Sequence, residues 1–335
     1  MGIFLTPDTE GKFPVSLITG FLGSGKTTLL NRLLRHPAMA RTAVVINEFG
    51  DVALDQHFVE KTDGEVVVMA NGCLCCSLSG DLEGIVGTLF AKREAGEVPD
   101  FARLVVETTG LADPAPIMQL LIASPLFARS FRLDAVVATV DAVHGMRGLD
   151  EHEEAVKQAA IADRIVITKT DLADPAALEA RLAALNPGAS IFRAVMGEID
   201  PEVLFGAGDA ALRDPAKWLG PIAHLHHHGR DRIEAFCLRA NSPLVWREFQ
   251  RFLTRLKVRE ADHLLRVKGL IHVAGEDGPV VIHGVHHVFH PPVELPYWPD
   301  ADRTTRIVVI ARGLDQARVE KEWQEFIAPA RAGAA

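Results

Sequence analysis

The sequence predicts an α/β protein: a first domain built on a mostly parallel sheet, followed by a smaller α+β domain. Three observations carry this. Over the first two-thirds of the chain, short runs rich in Val and Ile alternate with amphipathic stretches. Those runs are apolar nearly throughout rather than at every second position, as strands covered on both faces require. Beyond about residue 230 the order changes to consecutive strands with helices set apart. The length of 335 residues is ample for two domains, and 48% hydrophobic against 24% charged residues excludes a mainly disordered chain.

Taken in order, the predicted strands are Val15–Thr19, Thr42–Asn47, Glu65–Met69, Arg103–Glu107, Ala135–Val140 and Arg164–Thr168, each short and closed by a polar or glycine-containing turn. Helices are predicted between and after them at Lys26–Arg35, Leu82–Glu94, Pro116–Ala123, Glu151–Ile161 and Pro175–Leu185. A loop-rich passage around 206–230 contains His224-Leu225-His226-His227-His228. Then come strand Ile233–Ala240, helix Pro243–Lys257, strands His263–Val273, Pro279–Phe289 and Thr304–Ala311, and helix Leu314–Ile327. The expected domains are therefore 1–215 and 232–330, joined by a His-rich linker at 216–231.

Charge and composition narrow the function. A formal net charge of −9 argues against a general nucleic-acid surface, which needs dense Lys and Arg. No apolar run reaches the ~18 residues of a membrane span. The first residues lack a basic region and a long enough apolar stretch for a secretory signal. Gly2 followed by Thr6 fits the loose myristoylation pattern, which is short enough to arise by chance. Four cysteines are too few for a disulfide scaffold, and three of them crowd at 73, 75 and 76, poor disulfide geometry and good metal geometry. A reducing cytoplasm is the expected compartment.

Gly20-Phe21-Leu22-Gly23-Ser24-Gly25-Lys26-Thr27 fits G-x-x-x-x-G-K-[ST], placed after a predicted strand and opening a predicted helix. Its glycines let backbone N–H groups wrap a phosphate, and the helix N-terminus adds a favourable dipole. Lys26 supplies charge to the β/γ-phosphates, and the Thr27 hydroxyl is expected to bind Mg²⁺. Glu107 ends an apolar strand and can hold Mg²⁺ through water, while the N–H of Gly110 can sense the γ-phosphate. Thr168-Lys169-Thr170-Asp171 matches the [NT]KxD pattern that reads guanine, favouring GTP over ATP. The expected nucleotide contacts are Gly20, Gly23, Ser24, Gly25, Lys26, Thr27, Thr28, Gly110, Thr168, Lys169 and Asp171. Lys26, Thr27 and Glu107 form the expected catalytic set.

Asn71-Gly72-Cys73-Leu74-Cys75-Cys76 follows a strand, and three thiolates in four residues suit a soft ion such as Zn²⁺ or Cu⁺. Two other readings stand beside this: a set of packed small hydrophobes, or redox use of the Cys73–Cys76 spacing, which lacks a thioredoxin-like context. Cys237, inside an apolar strand, reads as core.

The segments GFLGSGKTTLLN, INEFG (Ile46–Gly50), NGCLCCS (Asn71–Ser77), VVETTGLADP and TKTD occur in an order that resembles the CobW-like GTPases. Leu265-Arg266-Val267-Lys268-Gly269 and Gly284-Val285-His286-His287-Val288-Phe289 resemble that family's second domain. The resemblance implies slow intrinsic GTP hydrolysis, a metal held by Cys73, Cys75 and Cys76, and delivery of that metal to a client apo-metalloprotein. Glu48 matches the acidic residue of the NEFG segment, as an oxygen ligand for the ion or an outer contact of Mg²⁺. Asp51 is a weaker candidate of the same kind. No water-positioning Gln follows Gly110, so the resemblance assigns no hydrolytic base.

A thiolate-rich site prefers Zn²⁺ to Co²⁺ at equal availability, so zinc is the expected cargo and cobalt, for cobalamin synthesis, the alternative. His224, His226, His227 and His228 read as an auxiliary metal site or as a solvated linker. Strand alternation sets His283 and His287 on one face and His286 and His290 on the other. Arg266 and Lys268 could reach a phosphate or a client carboxylate, or lie on a solvated face. Because NEFG and CxCC lie in sequence between the phosphate loop and the Glu107 strand, GTP·Mg²⁺ could tighten the thiolate site and hydrolysis loosen it. A metal-responsive regulator or buffer without a client is a second class of function. A small-molecule kinase is a third, disfavoured by TKTD. The expected partners are the client and, as an option, a second copy in a homodimer, with neither nucleic acid nor membrane.

Overall fold

A computed structural model of the chain describes residues 12–48, 66–72, 78–206 and 233–328. They fall into two compact units, 12–206 and 233–328. In the first, β1 (Phe13–Gly20) leads to α1 (Lys26–Leu34), a 3-10 turn (Pro37–Met39), β2 (Thr42–Glu48), β3 (Val66–Gly72), α2 (Leu78–Glu94) and β4 (Arg103–Glu107). There follow α3 (Ala115–Ala123), α4 (Pro125–Ser130), β5 (Phe131–Asp141), α5 (Gly145–Glu151), α6 (Glu153–Ile161), β6 (Arg164–Thr168), α7 (Ala176–Leu185), β7 (Ser190–Arg193) and α8 (Pro201–Leu204).

The seven strands form one sheet in the order β3-β2-β4-β1-β5-β6-β7, every neighbouring pair parallel. Parallel pairing sends the C-terminal end of every strand to the same edge, where ligands of such sheets bind. Burial on both faces explains the unbroken apolar runs: Val15, Leu17 and Ile18 are all fully buried. α1 presents Leu29, Leu30 and Leu33 to Ile18, Val44 and Val137 on one face of the sheet.

Two departures from the expected elements have physical causes. The expected helix Glu151–Ile161 is α6, begun two residues later, and an unexpected helix, α5, precedes it; His152 takes an extended backbone (φ −128°, ψ 115°) between the two. The Asp141 carboxylate accepts the N–H groups of Val143 (2.9 Å) and His144 (2.7 Å) and starts the turn into α5, despite two glycines that disfavour a helix. β7 escaped sequence analysis because Ser190–Arg193 is four residues long and half-exposed at the sheet edge.

The second unit holds β8 (Ile233–Ala240), α9 (Trp246–Arg259), β9 (Leu264–Ile271), β10 (Val280–Val285), β11 (Val288–Phe289), β12 (Val293–Glu294), β13 (Thr305–Arg312) and α10 (Gln316–Ile327). Its antiparallel sheet runs β11-β10-β9-β13-β8, with β12 also pairing β10. One face packs Phe236, Val267, Ile282 and Val309 against Phe249 and Phe252 of α9 and Trp323 of α10.

Here several sequence readings are corrected. The expected strand Pro279–Phe289 is a hairpin: Gly284 pairs with Phe289 and Val285 with Val288 around His286-His287, where His286 has φ 50°. Strand alternation therefore stops at Val285. His283 and His290 are not on opposite faces but stack with ring centroids 4.8 Å apart. Arg266 and Lys268 lie on no solvated face either; they are 1% and 2% exposed. Arg266 Nη2 lies 2.9 Å from His283 Nε2, and Lys268 is the cross-strand partner of His283. Cys237, expected in the core, is instead half-buried on the face of β8 opposite it, its Sγ 3.6 Å from the Leu238 carbonyl. Burial pushes its thiol pKa up.

Candidate nucleotide site and its surroundings

The phosphate loop forms where β1 ends. Gly23 (φ 71°) and Gly25 (φ 93°) adopt the left-handed backbone that a tight loop needs and that side chains resist. Ser24 is clamped beneath: its hydroxyl meets the Thr139 hydroxyl at 2.6 Å, and its carbonyl accepts the Thr168 hydroxyl at 2.7 Å. Lys26 Nζ lies along the loop, donating to the carbonyls of Gly20 (2.9 Å) and Phe21 (3.3 Å). The Thr27 hydroxyl donates to Glu107 Oε1 at 2.8 Å, joining the start of α1 to the end of β4. Glu107 is only 4% exposed.

The other expected contacts gather at the same sheet edge. Lys169, held at φ 56°, donates to the Gly23 carbonyl at 2.8 Å and lies 3.6 Å from the Asp141 carboxylate. Asp171 is exposed beyond the end of β6, and its carboxylate has no hydrogen-bond partner among the described residues. Gly110 presses on the phosphate loop so closely that a Cβ there would lie 2.7 Å from the Leu22 nitrogen. Asp141 and Gln158 are structural participants that sequence analysis missed. Asp141 ends its strand as Glu107 does, and that position was the available signal. A cavity of about 300 Å³ opens behind the phosphate loop, between Phe21–Ser24, the end of β5, and helices α5 and α6.

Part of the expected metal site can be located by backbone alone. β2 and β3 pair in register with Glu48 opposite Gly72, and Ile46 of β2 pairs with Glu107 of β4. Cys73, Cys75, Cys76, Asp51 and the His224, His226, His227 and His228 tract lie outside the described residues. Among the described residues, no group of three or more His, Cys, Asp or Glu could hold a metal ion. No helix there is long and apolar enough to cross a membrane.

A parallel sheet, a G-x-x-x-x-G-K-T loop on its central strand and an acidic strand end bonded to the loop threonine define a P-loop nucleotide-binding domain. Residues 14–193 match the CobW/HypB/UreG nucleotide-binding domain, and residues 233–327 match the cobalamin synthesis protein cobW C-terminal domain. The chain belongs to this CobW/HypB/UreG family, in a form that carries the CobW C-terminal domain. It is 33% identical over 296 residues to the zinc chaperone YjiA of Escherichia coli, covering 88% of this chain and 93% of that one. It is 31% identical over 357 residues to the zinc chaperone CobW of Pseudomonas aeruginosa, covering 96% and 93%. Among solved structures, that of Zn(II)-bound YjiA GTPase from E. coli aligns with a TM-score of 0.77 at 29% identity, covering 94% of this chain and 99% of that one.

Proposed function

We propose that the protein is a GTP-dependent metallochaperone that carries zinc on Cys73, Cys75 and Cys76 and transfers it to a client apo-metalloprotein as GTP is hydrolysed. The GTPase activity and the metallochaperone class rest on family membership and on the relatives named as zinc chaperones and as a GTPase. The zinc site, the client, the cytoplasmic setting and domain limits at 215 and 232 are the parts proposed here.

One observation carries the coupling. Glu48 is the register partner of Gly72, so the segments that continue from them, Phe49-Gly50 and Cys73-Leu74-Cys75-Cys76, leave the sheet from adjacent strands. Those strands end at the same edge as the phosphate loop, with β4 and its Glu107 between. A change at the γ-phosphate would therefore have only β4 to cross to reach the strand ends from which both segments continue.

The Thr27 hydroxyl and Glu107 carboxylate, adjoining hard oxygen donors, fit Mg²⁺. When bound, Mg²⁺ supplies charge neutralisation at the β- and γ-phosphates. Lys26 would swing from the loop carbonyls to the same phosphates. Asp171 would accept the guanine N1–H and amino group. The cysteines would hold zinc as thiolates, with Glu48 as an oxygen ligand or an outer Mg²⁺ contact.

The test is competitive titration of the Mg²⁺·GTP and Mg²⁺·GDP forms against calibrated zinc and cobalt chelators, repeated with Cys75→Ser and with residues 224–228 deleted. Tight stoichiometric zinc in the GTP form, weaker in the GDP form and lost with Cys75→Ser, is expected. Equal affinity in both nucleotide states removes the coupling, and tighter cobalt reassigns the cargo. A client activated by the zinc-loaded protein only with hydrolysable GTP separates a chaperone from a buffer.

A further inference from the structure

α6 reaches both loops that surround the phosphate position. His152, at its start, stacks on Phe21 of the phosphate loop, with centroids 4.3 Å apart and planes 18° apart. Lys157 lies 3.5 Å from Asp113, on the segment that follows Glu107. Next to Lys157, Gln158 is 1% exposed, and its Nε2 donates to the carbonyls of Gly110 (3.1 Å) and Ala112 (3.0 Å). Chemistry fixes which way the amide faces, since the reverse orientation would set its oxygen against two carbonyl oxygens. Oε1 has no hydrogen-bond partner among the described residues, so the two donor bonds alone set the side chain.

These bonds have a consequence for the turn. A trans peptide directs its C=O and N–H oppositely. With the Gly110 carbonyl held toward α6, the N–H of Leu111 points away from α6. Neither the Gly110 nor the Leu111 N–H has an acceptor among the described residues. The turn is also pinned on its other side, where Gly110 packs on Leu22 of the phosphate loop. The Leu111 donor is thus oriented from behind by one buried amide, with the unused Gly110 donor next to it in the chain. The far end of α6 is anchored: the Asn186 amide donates to the carbonyls of Ala159, Ala160 and Ala162 at 2.9, 3.0 and 2.9 Å.

We propose that Gln158 is a positioning residue for GTP hydrolysis, holding the Gly110–Ala112 turn so that its N–H groups meet the charge that develops on the γ-phosphate. This rests on the reading that GTP occupies the phosphate loop. Donors aimed before reaction at developing charge are among the larger contributions to catalysis, and their aim is lost when the support behind them is removed.

The test uses the full-length protein with Gln158→Met, which keeps length without the amide, and Gln158→Glu. For Gln158→Met, kcat for GTP is expected to fall ~10-fold or more. Its GDP affinity should stay within about twofold, so that the preference for a non-hydrolysable GTP analogue over GDP declines. Gln158→Glu supplies a reading that a purely structural role would not move. A buried carboxyl has a raised pKa and can donate to a carbonyl only when protonated. The ratio of its kcat to that of the wild type should therefore climb as pH falls from about 8 to about 6. A kcat for Gln158→Met within twofold of wild type overturns the proposal. So does a flat ratio for Gln158→Glu, or equal loss of GTP and GDP binding alongside early melting. A wild-type protein that hydrolyses no GTP would fail the functional reading itself, before any variant is compared.

Discussion

Single side chains carry the proposed nucleotide chemistry, and their environments make the expected effects specific. The Thr27–Glu107 contact joins an alcohol to a 4%-exposed carboxylate at the phosphate edge. Glu107→Gln should keep the fold and lower GTP turnover ~100-fold, read as phosphate release across a Mg²⁺ titration. Asp171, exposed and with no hydrogen-bond partner among the described residues, should be needed only when the base is present. Asp171→Ala should weaken GTP by about 2–4 kcal/mol, the loss of two bonds to a charged acceptor, with melting temperature unchanged. Cys237 is the contrary case. Its thiol is held protonated by burial, so iodoacetamide should label it at least ~10-fold more slowly in the folded than in the unfolded protein, as mass spectrometry would show.

At the scale of elements, the contacts between loops and strands decide the outcome. Gly110 stands where the segment after β4 meets the phosphate loop, and a methyl group there would collide with the Leu22 backbone. Gly110→Ala should cost about 1–3 kcal/mol in thermal unfolding and weaken GTP more than GDP. In the second unit, the Asp302 carboxylate accepts the Thr304 N–H at 2.9 Å at the start of β13 and faces Arg306. These partners, Thr304 first, hold its pKa below the ordinary value. Its stabilisation is therefore present above the unfolded pKa of about 4 and lost as pH falls through the lower folded value. Asp302→Asn should melt earlier than wild type near neutrality, the difference shrinking as pH falls below the unfolded value of about 4. The hairpin of β10 and β11 shows why pattern alone misled. Alternation assigns faces only while a strand continues, and a two-residue turn at His286-His287 folds His290 back onto His283.

At the scale of the whole molecule, the proposed coupling is a linkage and must be reciprocal. Whatever factor GTP adds to zinc affinity, zinc must add to GTP affinity, so stripping zinc with a chelator should weaken GTP by that same factor in isothermal titration. Six of the seven strands of the parallel sheet, the phosphate loop, the acidic end of β4 and the TKTD turn were legible in the sequence. Each is a local pattern: a buried strand has to be apolar, and a phosphate cradle has to be glycine-rich. What tertiary structure alone decided was adjacency. Strand order brings Glu48 beside Gly72 and sets β4 between β2 and β1. Packing against α6 brings a buried amide from Gln158 to Gly110 across 48 residues of chain. Nothing in the spacing of residues announces such a contact, because a hydrogen bond between distant segments depends on where the whole sheet and its covering helices come to rest.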